Sequence, residues 1–172
     1  MGPKTSAARN GVSCNGGRKD NMARITKSGK VKKSELPSTL QRSDEKAQRT
    51  YARTLDSAEE TYDDERRAHQ VAFAALKHTH EKVGDHWEPK ESYGPSDDRA
   101  AGGADTDEPT AGGVDARASK KHLYELATRL ESPGRSKMSK AELVEALRLA
   151  NNRLSAKALV RGRRAQRADD TA

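Results

Sequence analysis

Apolar residues reach this chain in two separated bursts, and nothing outside them can support a packed core. One burst lies between Leu36 and Trp87 and the other between Leu123 and Ala158, divided by a stretch rich in Gly, Pro and acids. Across 172 residues only 32% are apolar and 3% aromatic, against 34% charged. Ordering a residue costs about 1–2 kcal/mol of backbone entropy that apolar burial must offset, so folded islands in a longer unstructured chain are expected. No run approaches the roughly 20 apolar residues of a membrane span. The opening residues lack the apolar run of a secretory signal, and the single Cys14 excludes an internal disulfide framework. These features predict a cytoplasmic setting.

Charge divides the chain in the same places. Residues 1–33 hold nine Lys/Arg and one acid, and residues 34–92 hold nine and thirteen. Residues 93–118 hold two and six, residues 119–153 eight and four, and residues 154–172 five and two. Basic, apolar-poor ends suit a polyanion, most simply nucleic acid. The segments are therefore read as a disordered basic tail (1–33), a helical domain (34–92), a flexible acidic linker (93–118), a helical module (119–153), and a basic helix extension and tail (154–172).

Ala47, Tyr51, Leu55, Ala58 and Tyr62 recur at helical spacing. They predict a helix over about 44–62, with Ser43 as its N-cap. Val71 to Leu76 is apolar nearly all round, which predicts a buried second helix over about 65–83, stopped by Gly84. Trp87 is expected to fold back onto Leu55, Phe73 and Leu76. In the second island, Ser119 can cap a short helix carrying Leu123, Leu126, Ala127 and Leu130. Ser132-Pro133-Gly134 breaks it, and Ser139-Lys140-Ala141-Glu142 is a capping box. The face Leu143, Leu147, Ala150, Leu154, Ala158 predicts one helix from Lys140 to about Val160.

Two resemblances attach to these islands. LPSTLQ, AQRTYARTLDSAEETY and AHQVAFAALKHTHEKVGDHWEPK, between Leu36 and Lys90, resemble the ChaB family of small bacterial proteins. That resemblance implies a compact helical fold and a role in regulating cation transport. LYELATRL and PGRSKMSKAELVEAL, between Ser119 and Arg148, look like the helical N-terminal motif of the Rho transcription termination factor. This implies a helix–extended loop–helix module of a kind that binds nucleic acid. No strand pattern follows it, so the RNA-reading barrel of the termination factor is not expected.

No nucleophile–base pair, Gly-rich phosphate loop or paired-acid motif is present, so neither an enzyme nor a cofactor is expected. His69, His78, His80 and His86 fall close together. His78 and His80, two apart on a predicted helix, point to opposite sides, and His69 and His80 would be about 16 Å apart. No metal site is expected there. The acids from Glu59 to Glu65 read as helix capping. The basic residues Lys120, Lys121, Arg135, Lys137 and Lys140 cluster at the loop and helix starts of the second island. Arg153, Lys157 and Arg161 extend them along one side of the last helix. With Tyr124 the one aromatic nearby, contacts with DNA or RNA are expected to be backbone-led and weakly sequence-specific. The alternative is a protein-interaction regulator of a membrane cation transporter, docking through the ChaB-like domain.

Overall fold

The fold is mostly α and is known from a computed structural model that describes residues 24–26, 28–102 and 109–169. After a short turn at Pro37, α1 (Ser38–Gln41) leads into α2 (Glu45–Thr61) and α3 (Glu65–Thr79), which pack along one another. Leu40, Tyr51, Leu55 and Leu76 are fully buried between them. The α2 cap is Asp44, whose carboxylate accepts from Ala47 N–H at 2.6 Å, and not Ser43. The Ser43 hydroxyl is occupied elsewhere: it donates to the Thr39 carbonyl and accepts the Trp87 N–H, each at 2.8 Å.

The second helix ends four residues before Val83. Its apolar signal stops at Leu76, and the following Lys77 to Lys82 contains no aliphatic residue to hold a helix against the core. The chain turns instead into an antiparallel hairpin of β1 (His80–Val83) and β2 (His86–Pro89). Gly84 opens its two-residue turn at φ 67°, the left-handed region that glycine enters without a Cβ penalty. Trp87 folds back as expected and is buried. Phe73 is only half-buried, its ring 4.8 Å from that of Tyr51 and 6.1 Å from that of Trp87.

Side chains alternate across a strand, and the register pairs Lys82 with Trp87 and Glu81 with Glu88. One face of the hairpin therefore carries His80, Lys82 and Trp87 into the first core. The other carries Glu81, Val83 and Glu88 to α5 (Lys120–Arg129) and α6 (Lys140–Asp169). Val83 belongs to the second core, with Val114, Leu123, Leu126, Leu143 and Leu147. The two helical units are thus docked through a shared hairpin rather than strung as separate islands. Asn151 of α6 clasps the turn: its Oδ1 accepts Gly84 N–H and its Nδ2 donates to the Lys82 carbonyl, both at 2.7 Å.

The segment read as a flexible linker is largely packed where it is described. Buried Asp97, just before α4 (Asp98–Gly102), pairs with buried Lys77 at 2.9 Å, and Asp115 pairs with Lys90 at 3.0 Å. Its acids are counter-charges for lysines that the helical domain buries, a use that composition does not reveal. Residues 103–108 lie outside the described residues, as do residues 1–23 with Cys14. The basic tail, expected to be disordered to residue 33, already has structure from Arg24. Its guanidinium binds Glu59 at 2.7 and 2.8 Å and Asp56 at 3.1 Å, and Ile25 bridges to Val31. At the other end, α6 runs to Asp169, past the expected Val160, because Gly162 alone does not outweigh the helix formers around it.

Leu76→Ala should cost about 2–5 kcal/mol, and Phe73→Ala, at a half-exposed ring, about 1–3 kcal/mol, in urea unfolding followed by Trp87 fluorescence. Asn151→Ala strands one donor and one acceptor at the hairpin turn and should cost about 1–3 kcal/mol.

Candidate functional site

Chemically distinctive side chains gather in three places: the basic surface of α5 and α6, the seam between the hairpin and α5, and a cleft beside α3. The basic module is built as its caps dictate. Ser119 accepts the His122 N–H at 3.1 Å and starts α5. Gly134 at φ 75° turns the chain into a short 3-10 stretch, Arg135–Lys137. The capping box forms, with Ser139 N–H donating to Glu142 at 2.7 Å and Glu142 N–H to the Ser139 hydroxyl at 3.3 Å. Met138 packs on the core beside Leu143, as a hydrophobic staple does.

The expected nucleic-acid contacts divide into two groups. Lys120, Lys121, Lys137 and Lys140 are exposed around the starts of α5 and α6, and the hydrogen bonds from Ser139, with Lys120 adding to them, hold the Glu142 carboxyl below the ordinary range. Arg135 is half-buried and donates to the Ser132 carbonyl at 3.1 Å, which makes it part of the loop's own scaffold. Arg153, Lys157 and Arg161 are exposed, beginning about 20 Å along α6 from Lys140 at 1.5 Å per residue. The packed part of the helix ends at Leu154 and Ser155, whose hydroxyl reaches the Gly84 carbonyl at 3.2 Å. Beyond them Lys157, Arg161, Arg163 and Arg164 are exposed and make no ion pair among the described residues.

The seam was not visible in the sequence. Buried Glu81 meets His122 at 2.7 Å, and Glu88 takes Arg129 at 2.6 and 3.0 Å. Burial pushes the Glu81 carboxyl up against the pull of His122, and the Arg129 guanidinium holds Glu88 below the ordinary carboxylate range. One clue existed: Asn151 in mid-helix is a residue whose side chain competes with helix hydrogen bonds unless it finds partners elsewhere.

The four clustered histidines are pulled apart into separate tasks, His78 with its Nε2 3.4 Å from the Ala100 carbonyl. His69 Nδ1 lies 2.6 Å from the Tyr51 hydroxyl, and His86 sits between Asp85 and Glu88 at 3.2 and 3.0 Å. His80 is fully buried, with Nδ1 2.8 Å from the Thr79 hydroxyl and Nε2 3.5 Å from Asp44. Among the described residues no group of three or more His, Cys, Asp or Glu could hold a metal ion. Of the acids from Glu59 to Glu65, Asp64 caps α3 and Glu59 holds Arg24.

The cleft, of about 540 Å³, opens between α3, the hairpin and residues 110–113. Phe73, Ala74 and Trp87 form apolar wall, and Arg66 and Lys82 are among the cations around it. Sequence spacing could not reveal it, because α3 and residues 110–113, which form two of its sides, lie more than 30 residues apart.

With this geometry in view, the ChaB family model matches residues 36–90, about a third of the chain, from Leu36 through the hairpin to Lys90. The chain therefore carries a ChaB domain. No curated protein and no solved structure matches it. Among the described residues no helix is long and apolar enough to cross a membrane.

Burial holds His80 below its ordinary pKa of 6.5, more strongly than Asp44 raises it. The folded chain keeps the imidazole neutral, while the unfolded chain takes up a proton as pH falls. Its contribution to stability is complete above the unfolded value and is lost as pH drops through the folded one. Stability from urea unfolding should thus fall between about pH 7 and 5, and His80→Gln should flatten that part of the profile.

Proposed function

We propose that the chain is a non-enzymatic, cytoplasmic regulator that binds nucleic acid through its C-terminal module, next to a ChaB domain. The observation that carries this reading is the free part of α6. The helix continues from Ser155 to Asp169, and on that stretch Lys157, Arg161, Arg163 and Arg164, with Arg153 just before it, are exposed without ion pairs among the described residues. Unpaired cations on a rigid rod can follow a phosphate backbone. The likeness of residues 119–148 to the termination-factor motif supports the same reading. After Lys140 the described chain is all helix, so base-reading by a barrel is no part of the proposal. Backbone-led binding to DNA or RNA with weak sequence preference follows.

A second reading is favoured by the ChaB match itself: protein-mediated regulation of a cation transporter, with the ChaB domain docking to it. In that case the chain co-purifies with membranes and leaves heparin at low salt.

Replacing Arg153, Lys157 and Arg161 with Gln keeps helix propensity. If all three contact phosphates of duplex DNA, the slope of log K against log salt should shrink by about 2.7. An unchanged slope, with circular dichroism confirming the helix, removes this surface from the binding model and favours protein docking.

A further inference from the structure

The cleft beside α3 holds two cations, Lys82 and Arg66, that make no ion pair among the described residues. At about 540 Å³ it is within the usual size of small-molecule sites, roughly 300–1,000 Å³. One wall is apolar: the half-buried Phe73 ring, Ala74, and Trp87 stacked behind Phe73. Gly112 and Gly113 complete the lining, and Gly113 packs directly against Trp87. A Cβ on Gly113 would sit 2.7 Å from Trp87 Cη2 and 2.8 Å from Lys82 Cβ, and one on Gly112 would sit 3.0 Å from Arg148 Cγ. A side chain at Gly113 would press on Trp87 and Lys82, both of which line the cleft, so its shape there depends on that glycine.

Around that apolar space stand Arg66, Lys77, Lys82 and Arg99, and no Asp or Glu lines it. Lys77 is neutralised by Asp97 at 2.9 Å. Lys82 is not neutralised: it is half-buried and makes no ion pair among the described residues, while Arg42 and Asp85 nearby are paired to each other at 3.0 Å. Arg66, at the N-terminal end of α3, is exposed and likewise makes no ion pair among the described residues. An ammonium partly stripped of water and lacking a counter-charge is costly. A ligand that brings a negative charge to it, and an apolar body to the Phe73 wall, would recover that cost.

We propose that the cleft between α3, the hairpin and residues 110–113 binds a small organic acid, its aromatic or branched apolar body against Phe73 and its carboxylate at Lys82, with Arg66 at the mouth. This site is separate from the basic α6 surface and does not depend on how that surface functions. Trp87 lines the cleft and is the only tryptophan, so its fluorescence reports occupancy directly.

The test titrates the full chain with 4-phenylbutyrate, phenylacetate and 3-methylbutyrate, and with the uncharged 4-phenylbutanol as control. A small acid of this size should give a saturable Trp87 change with a Kd in the millimolar range, about tenfold tighter than the alcohol. Lys82→Gln should weaken the acids about tenfold and leave the alcohol unchanged. Ala74→Leu, which fills the apolar side and keeps every charge, should weaken acid and alcohol alike. The triple Gln variant at Arg153, Lys157 and Arg161 should bind the acids as the native chain does. The proposal is overturned if no acid saturates below about 50 mM, or if acid and alcohol bind equally. It is also overturned if a folded Lys82→Gln variant binds the acids unchanged. Should Lys82→Gln fail to fold, unchanged acid binding in Ala74→Leu overturns it instead.

Discussion

A hairpin of eight paired residues holds this protein together because its two faces serve different cores. Strand alternation sends Trp87 into the α2–α3 core and Val83 into the α5–α6 core, and the register that does one does the other. A slip of a single residue would exchange the faces, presenting charged Glu88 to the first core and Trp87 to α5. Nothing in so short a sheet would resist such a slip without help. The help comes from outside: Ser43 accepts the Trp87 N–H on one side, and Asn151 clasps the turn on the other.

Charge at the joint is arranged by the same logic. Lys77 and Lys90 are buried where the ChaB domain meets the following segment, and Asp97 and Asp115 return from that segment to meet them. Burial alone would raise the Asp97 carboxyl. The Lys77 ammonium and the N–H groups of Ala100 and Ala111 outweigh it and hold the group below its ordinary range. Pairs of this kind add little net stability over an apolar contact, but removing one partner leaves a buried charge, which is strongly destabilising. They therefore tie residues 93–102 and 109–118 to the helices with a specificity that a Gly-rich, acidic segment could not supply by packing.

The molecule separates its charges in space as well as in sequence. Glu81, Asp97 and Asp115 are drawn inward to the seam and the buried pairs, and the free part of α6 is left strongly basic. The cleft beside α3 lies on the far face of the hairpin from Glu81 and Glu88, with its own cations and no carboxylate in its lining. The basic helix and the cleft are thus distinct surfaces that share the hairpin as a structural support.

Local physics was enough to read much of this from the residues. The period of Ala47, Tyr51 and Leu55, the capping box at Ser139 and Glu142, and the basic run on α6 each depend on neighbours within a turn or two. Spacing and propensity therefore determined the helices, their faces and the exposed cations. The hairpin after Thr79, the use of Ser43, the pairing of Lys77 with Asp97 and of Glu81 with His122, and the cleft at Phe73 were decided only by tertiary structure. The use of Ser43 and the two pairings join groups 20 to 44 residues apart, and their free energy, like that of the docked hairpin and the cleft, comes from desolvation and pairing that exist only once the chain has closed on itself. Neither a periodic pattern nor a composition count registers that energy.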